Sequence, residues 1–279
     1  MYRAQWRRLA LAVAAFAWMP MSAQAALINP SVIFAEDGSQ LQTRMTLAFD
    51  GTNYWSVTGG GPGGIREAQY TAAGAFLANY SPGLDFRSIF TDAGGDVFAR
   101  QFASSTIYQQ TAPGVFVPLT TLVGGTLNAQ SAVVLNGAGT EYLAANMGVV
   151  NRWSLAGNFL GTINLAGFGS VAGENTYPAN RGIAASGSNL FTYNSGILST
   201  WDLLGNRLSQ DTLVGAGNTF DANFSYSIAN DLFFVESGGF WRGYDIGLRS
   251  APEPATLLLL GLGLGTAVRR RILGRSTPR

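Results

Sequence analysis

The chain has 279 residues, 47% hydrophobic and only 12% charged, which excludes a solvated disordered chain and supplies enough apolar side chains for one large domain. It holds no cysteine and no histidine, so disulfides, thiolate metal sites, cysteine nucleophiles and imidazole bases or ligands are excluded as well. All 17 basic residues are arginines, eight of them terminal, and between Ala26 and Ala251 fifteen acids face nine arginines; that middle lacks the cationic face needed to displace counterions from phosphate, and no nucleic-acid partner is expected.

The first predicted element is a secretory signal. Basic Arg3, Arg7 and Arg8 precede an apolar stretch from Leu9 to about Met21, which leads to the small-residue site Ala23-Gln24-Ala25. A signal helix over residues 1–25 follows, with cleavage between Ala25 and Ala26, Ala23 standing at the minus-three position. A retained anchor needs a longer apolar run than this one, which carries Pro20 near its end.

Residues 26–250 read as a repeat. An aromatic residue, a turn glycine and a leucine recur in order: Phe34, Gly38 and Leu41; Tyr70, Gly74 and Leu77; Trp153, Gly157 and Leu160; Trp201, Gly205 and Leu208. Looser copies stand at Tyr108 with Gly114 and at Tyr244 with Gly247, and successive turn glycines lie 36, 40, 43, 48 and 42 residues apart. Between copies lie five pairs of short apolar strands joined by tight polar turns at 50–53, 91–96, 136–141, 186–189 and 229–231. Asn, Asp and Gly supply the positive φ that hairpin turns require.

Each hairpin plus its aromatic-glycine unit makes four strands in about 40–45 residues, the size of a propeller blade. The pattern resembles NHL, YVTN and related propeller repeats at the level of strands and turns. It predicts an all-β fold, a β-propeller of five blades with six as the alternative, and a β-sandwich or solenoid as the competing architecture. The strand Val32 to Phe34 is expected to pair with Trp241 to Asp245 and close the ring. The recurrent aromatics are expected to pack between blades, not to stack on sugar.

Chemistry-bearing residues are sparse. The run Gly59 to Gly64 lacks the following Lys, Ser or Thr of a phosphate cradle. Asp92 and Asp96 form the densest acidic pair, yet calcium needs six to eight oxygens and turn aspartates usually cap hairpins. Glu67, Asp85, Glu141, Glu174 and Asp221 are scattered, with no spacing that brings two together. No catalytic, cofactor-binding or metal-binding residue is assigned, and no cofactor is expected.

The last element, residues 251–279, begins with Pro252-Glu253-Pro254, continues with fourteen residues from Ala255 to Val268 and ends on Arg269, Arg270 and Arg271. The prolines block helix on the outer side and the arginines stay cytoplasmic under the positive-inside rule. A hydrophobic transmembrane helix follows, at ~21 Å short of a ~30 Å hydrocarbon core. The three parts and their order resemble the PEP-CTERM sorting signal. The resemblance implies cutting by an exosortase near the PEP motif, a Gram-negative envelope, transient inner-membrane anchoring, delivery to the cell surface or beyond, and an association with exopolysaccharide or biofilm. It says nothing of the passenger, for which two readings remain: a noncatalytic binding or structural module of the extracellular matrix, or a carboxylate-dependent glycoside hydrolase or lyase on the same scaffold.

Overall fold

The computed structural model describes residues 25–36, 44–60, 66–217 and 223–247. The expected C-terminal helix, and all but the last residue of the signal helix, lie outside that set. The described residues form five sheets arranged as the blades of a propeller.

The first blade is β3 (Arg44–Phe49), β4 (Asn53–Thr58), β5 (Glu67–Thr71) and β6 (Phe76–Tyr80), following the N-terminal β1 (Leu27–Ile28) and β2 (Pro30–Ala35). The second is β7 (Phe86–Thr91), β8 (Val97–Gln101), β9 (Thr106–Ala112) and β10 (Val115–Thr121). The third is β11 (Val133–Leu135), β12 (Glu141–Asn146), β13 (Val149–Ser154) and β14 (Phe159–Asn164). The fourth contains β15 (Ala184–Ala185), β16 (Asn189–Asn194), β17 (Ile197–Asp202) and β18 (Arg207–Leu213). The last three strands, β19 (Phe224–Ser227), β20 (Leu232–Ser237) and β21 (Phe240–Tyr244), begin the fifth.

Burial falls from the axis outward, and the sequence explains why. The innermost strands β3, β7, β11, β15 and β19 touch one another in a ring. They are covered on both faces, so β3 and β7 read as near-continuous buried runs without polar alternation. In β13 the buried Val150, Asn151 and Trp153 are interspersed with partly exposed neighbours, and β14 is largely open to solvent. Aromatic contacts fill the wedges between blades, as where Tyr54 meets Phe34 at 5.2 Å and Phe234 at 5.3 Å. Tyr70, Trp153, Trp201, Trp241 and Tyr244 have no exposed surface, which rules out stacking on a ligand; Tyr108 is half-buried.

The ring closes as the pattern predicts. Strand β2 is the outermost strand of the fifth blade, with Phe34 opposite Trp241 and Val32 opposite Gly243. The count is five, not six. One assignment changes: Phe34 sits on a fourth strand, whereas Tyr70, Trp153 and Trp201 sit on third strands. The chain enters the ring on the outer edge of the last blade, so its first apparent repeat is out of phase by one strand; Gly38 and Leu41 lie outside the described residues. Strand β1 adds a second seam by pairing in parallel with β18, Leu27 opposite Thr212. Residues 27–35 thus bridge the fourth and fifth blades.

The turn glycines are contact points between blades. Gly157 adopts φ +83° and Gly205 φ +87°, and a Cβ at either would lie 2.1 Å from a backbone oxygen of the preceding blade, Thr121 or Asn164. Left-handed backbone and close approach both demand glycine here. Gly205→Ala is expected to cost about 2 kcal/mol, from the backbone penalty plus the displaced contact. The urea midpoint checks this. The repeat leucines do the opposite of filling the core: Leu77, Leu160 and Leu208 are 49%, 49% and 48% exposed on outermost strands.

Candidate carbohydrate pocket on the fourth blade

The propeller axis is nearly solid. Leu47, Phe49, Phe90, Leu135, Ala185 and Tyr226 crowd a space of about 20 Å³, room for roughly one water and no organic ligand. Where the inner strands begin, three arginines stand near the mouth, each held by neighbours. Arg44 lies 3.0 Å from Glu36 and 3.8 Å from Glu236. Arg87 pairs with Asp85 and donates from Nε to Gln130 Oε1 at 2.6 Å. Arg181 donates to Asn146 Oδ1. Burial pushes the Glu36 carboxyl above its ordinary value against the pull of Arg44, and the Trp241 indole also donates to it. This end of the axis is a closed set of ion pairs and amide contacts.

One opening lies to the side of the axis, over the fourth blade. The segment from Leu165 to Ile183, which joins β14 to β15, forms tight turns and one 3-10 turn at Ala179–Arg181. Its fixed point is Glu174, 3% exposed. One carboxylate oxygen accepts from Gly169 N at 2.8 Å and Arg207 Nη2 at 3.0 Å. The other accepts from Ser199 Oγ at 3.2 Å. Arg207 reaches on to Gly167 O and Ser170 Oγ, both at 2.9 Å, and lies 4.3 Å over the Trp201 ring. A buried carboxylate so paired and hydrogen-bonded gives a glycine-rich segment one conformation.

That fixed segment walls a pocket of about 220 Å³ bounded by Thr176, Tyr177, Pro178, Tyr193, Asn194 and Ser195. Tyr177 is 48% exposed and makes no hydrogen bond to a described residue. Tyr193 is pinned behind it, donating to Gly217 O at 2.6 Å and accepting from Gly196 N at 2.8 Å. Asn194 Nδ2 donates to Ala172 O at 2.8 Å, tying the pocket floor to the connecting segment. An exposed aromatic ring beside fixed amide and hydroxyl groups is the arrangement that neutral sugar rings bind: an apolar face for stacking, with donors and acceptors for the hydroxyls.

The residues singled out in the sequence do not converge. Glu67 is a fully buried clasp between the first two blades, accepting from Gln110 Nε2 at 2.7 Å and Gly114 N at 2.6 Å. Asp85 pairs with Arg87 and accepts from Gly60 N at 3.0 Å. Glu141 holds Arg152 through two bonds of 2.8 and 2.7 Å. Each belongs to a different blade, Glu174 to the segment before the fourth, and Asp221 lies outside the described residues. Asp92 caps its own hairpin, its Oδ1 accepting from Gly94 N at 2.9 Å and Asp96 N at 3.0 Å. Among the described residues no cluster of three acids is placed to hold a metal ion. Neither Tyr177 nor Asn194 stood out in the sequence. The available signal was spacing: 48 residues separate Gly157 from Gly205, the widest interval between turn glycines, and the surplus is the Leu165–Ile183 connection.

The sorting residues lie outside the described set, apart from Ala25 and Ala26 at its start. The family of the PEP-CTERM protein-sorting motif matches residues 250–271, taking in Pro252, Glu253 and Pro254 as well as Arg269, Arg270 and Arg271. The motif marks an exported, transiently anchored protein processed by exosortase. Among the described residues no helix is long and apolar enough to cross a membrane. No curated protein matches the chain. Among solved structures it is similar to the crystal structure of a structural genomics protein of unknown function from Bacteroides thetaiotaomicron, 11% identical with a TM-score of 0.45. That alignment covers 71% of this chain and 58% of the other, less than two thirds of the neighbour's length.

Proposed function

We propose that the exported passenger is a noncatalytic binding module of the cell surface or extracellular matrix of a Gram-negative bacterium, taking a neutral sugar unit of an exopolysaccharide in the pocket over the fourth blade. The observation that carries this reading is the exposed Tyr177 ring standing beside Thr176, Asn194 and Ser195 on a segment locked by Glu174 and Arg207. At about 220 Å³ the pocket is smaller than the ~300–1,000 Å³ of ordinary small-molecule clefts, which suits one ring of a longer chain. Engagement of the carboxylates in structural pairs supports binding over hydrolysis. Exosortase and the secretion machinery are the partners of the sorting signals, and the inner membrane is a temporary one.

Affinity electrophoresis of the exported, processed protein through gels of neutral and uronate-bearing polysaccharides tests the assignment. Retardation by a neutral polymer is expected, and Tyr177→Ala should weaken it about fivefold or more while leaving the urea midpoint unchanged, since stacking on one ring is worth about 1 kcal/mol or more. Retardation that survives Tyr177→Ala would move the site elsewhere. New reducing ends, lost in Glu174→Gln or Glu141→Gln, would replace the binder with the hydrolase.

A further inference from the structure

At the bond where the export signal is expected to be cut, Ala25–Ala26, the residue on the passenger side is already engaged. Ala26 N lies 2.9 Å from Asp211 Oδ1 on β18. Asp211 Oδ2 accepts from Ser209 Oγ at 2.8 Å, which orients the carboxylate. The backbone continues the contact: Thr212 N donates to Ala26 O and Val214 N to Ile28 O, both at 2.8 Å. Hydrogen bonding to β18 therefore begins at Ala26, one residue before the first paired position, Leu27. Leu198 stands opposite Asp211 on the neighbouring strand β17, and the bridge reaches the fifth blade at Pro30, opposite Tyr244.

We propose that signal cleavage creates a structural ion pair: hydrolysis of the Ala25–Ala26 bond frees an α-ammonium on Ala26 that closes onto Asp211 and latches the seam between the fourth and fifth blades. In that hydrolysis one water adds across the peptide bond, leaving a carboxylate on Ala25 and an ammonium on Ala26. An amide N–H donates one neutral hydrogen bond at this place; the ammonium donates up to three and carries the charge that the carboxylate complements. The uncut precursor has the neutral contact only.

The composition makes the latch measurable. The chain contains no lysine, so the α-amino group of the processed protein is its sole primary amine, and an amine-selective acylating ester reads that group alone. Intact mass of the exported protein should show a chain starting at Ala26; any other start overturns the proposal. The pH profile of acylation then reports the ammonium. In denaturant its midpoint should fall at the ordinary ~8. In the folded protein Asp211 should raise it, slowing acylation near pH 7.5 about two- to fivefold relative to a denatured sample corrected for its rate at pH 10. Salt at 1 M should move the folded midpoint back, as should Asp211→Asn. Equal midpoints for the folded and denatured chains would defeat the latch even if the variant did not fold, and would leave the sugar-pocket assignment standing.

Discussion

Arg100→Met is expected to destabilise the propeller by roughly 3–5 kcal/mol, a large share of the ~5–15 kcal/mol a domain has in total. Arg100 is 1% exposed on β8. Its Nε donates to Ser104 O at 2.7 Å, and Nη1 donates to Ala129 O at 2.7 Å and Ser131 O at 3.0 Å. Burial and the nearby Arg87 pull its guanidinium down to about 10, still protonated at neutral pH. Methionine fills much of the same space but donates nothing, so three carbonyls lose their charged partner inside the protein. Two of them belong to the connection that delivers β11 to the axis, and the damage should spread from the second blade to the third. Arg100→Lys should recover only part of the loss, because one ammonium lacks the fork that spans Ser104 and the 129–131 turn. Urea midpoints of the three proteins check this. A methionine variant within 1 kcal/mol of wild type would mean that water replaces the guanidinium at these carbonyls.

The second large effect is a pH dependence centred on Glu67. Its carboxyl is sealed between the first two blades, and burial raises it to about 7 despite the bonds from Gly114 and Gln110. In the unfolded chain it titrates near its ordinary 4.5. Between those values the folded protein holds a proton that the unfolded chain releases, so this group's contribution is fully present below about 4.5, falls as the pH rises toward 7, and levels off above. The loss across that window is about 3 kcal/mol at ~1.4 kcal/mol per unit. Glu67→Gln removes the titration while keeping an oxygen that accepts from Gly114 N. The difference in unfolding free energy between wild type and Glu67→Gln should therefore shift in favour of glutamine from pH 4.5 to pH 8. A difference that stays flat would place an ionised carboxylate in the clasp throughout.

The sequence disclosed the scaffold through its turns. Gly74, Gly114, Gly157 and Gly205 are forced by backbone geometry and by contact with the preceding blade, so the four-strand period can be read from their spacing. The hairpin acids Asp50 and Asp92 were legible for the same local reason: each caps the turn it begins. Long-range polar pairs were not. Glu67 and Gly114 are 47 residues apart, and Glu174 and Arg207 are 33 apart. Nothing local distinguishes a clasp from a surface charge. The pocket was hidden too, because Tyr177 matters through the fold of an irregular segment that follows no period.

Ring closure by the first strand has a temporal consequence. Residues 30–35 pair with 240–244, so an exported chain that emerges amino terminus first must leave its opening strand waiting until nearly the entire passenger has crossed. Only seven residues then separate Tyr244 from Pro252, a leash of at most ~25 Å when fully extended. Closing the ring therefore brings the sorting motif within that reach of the last strand, so the passenger is complete before its tail lies far from the folded body.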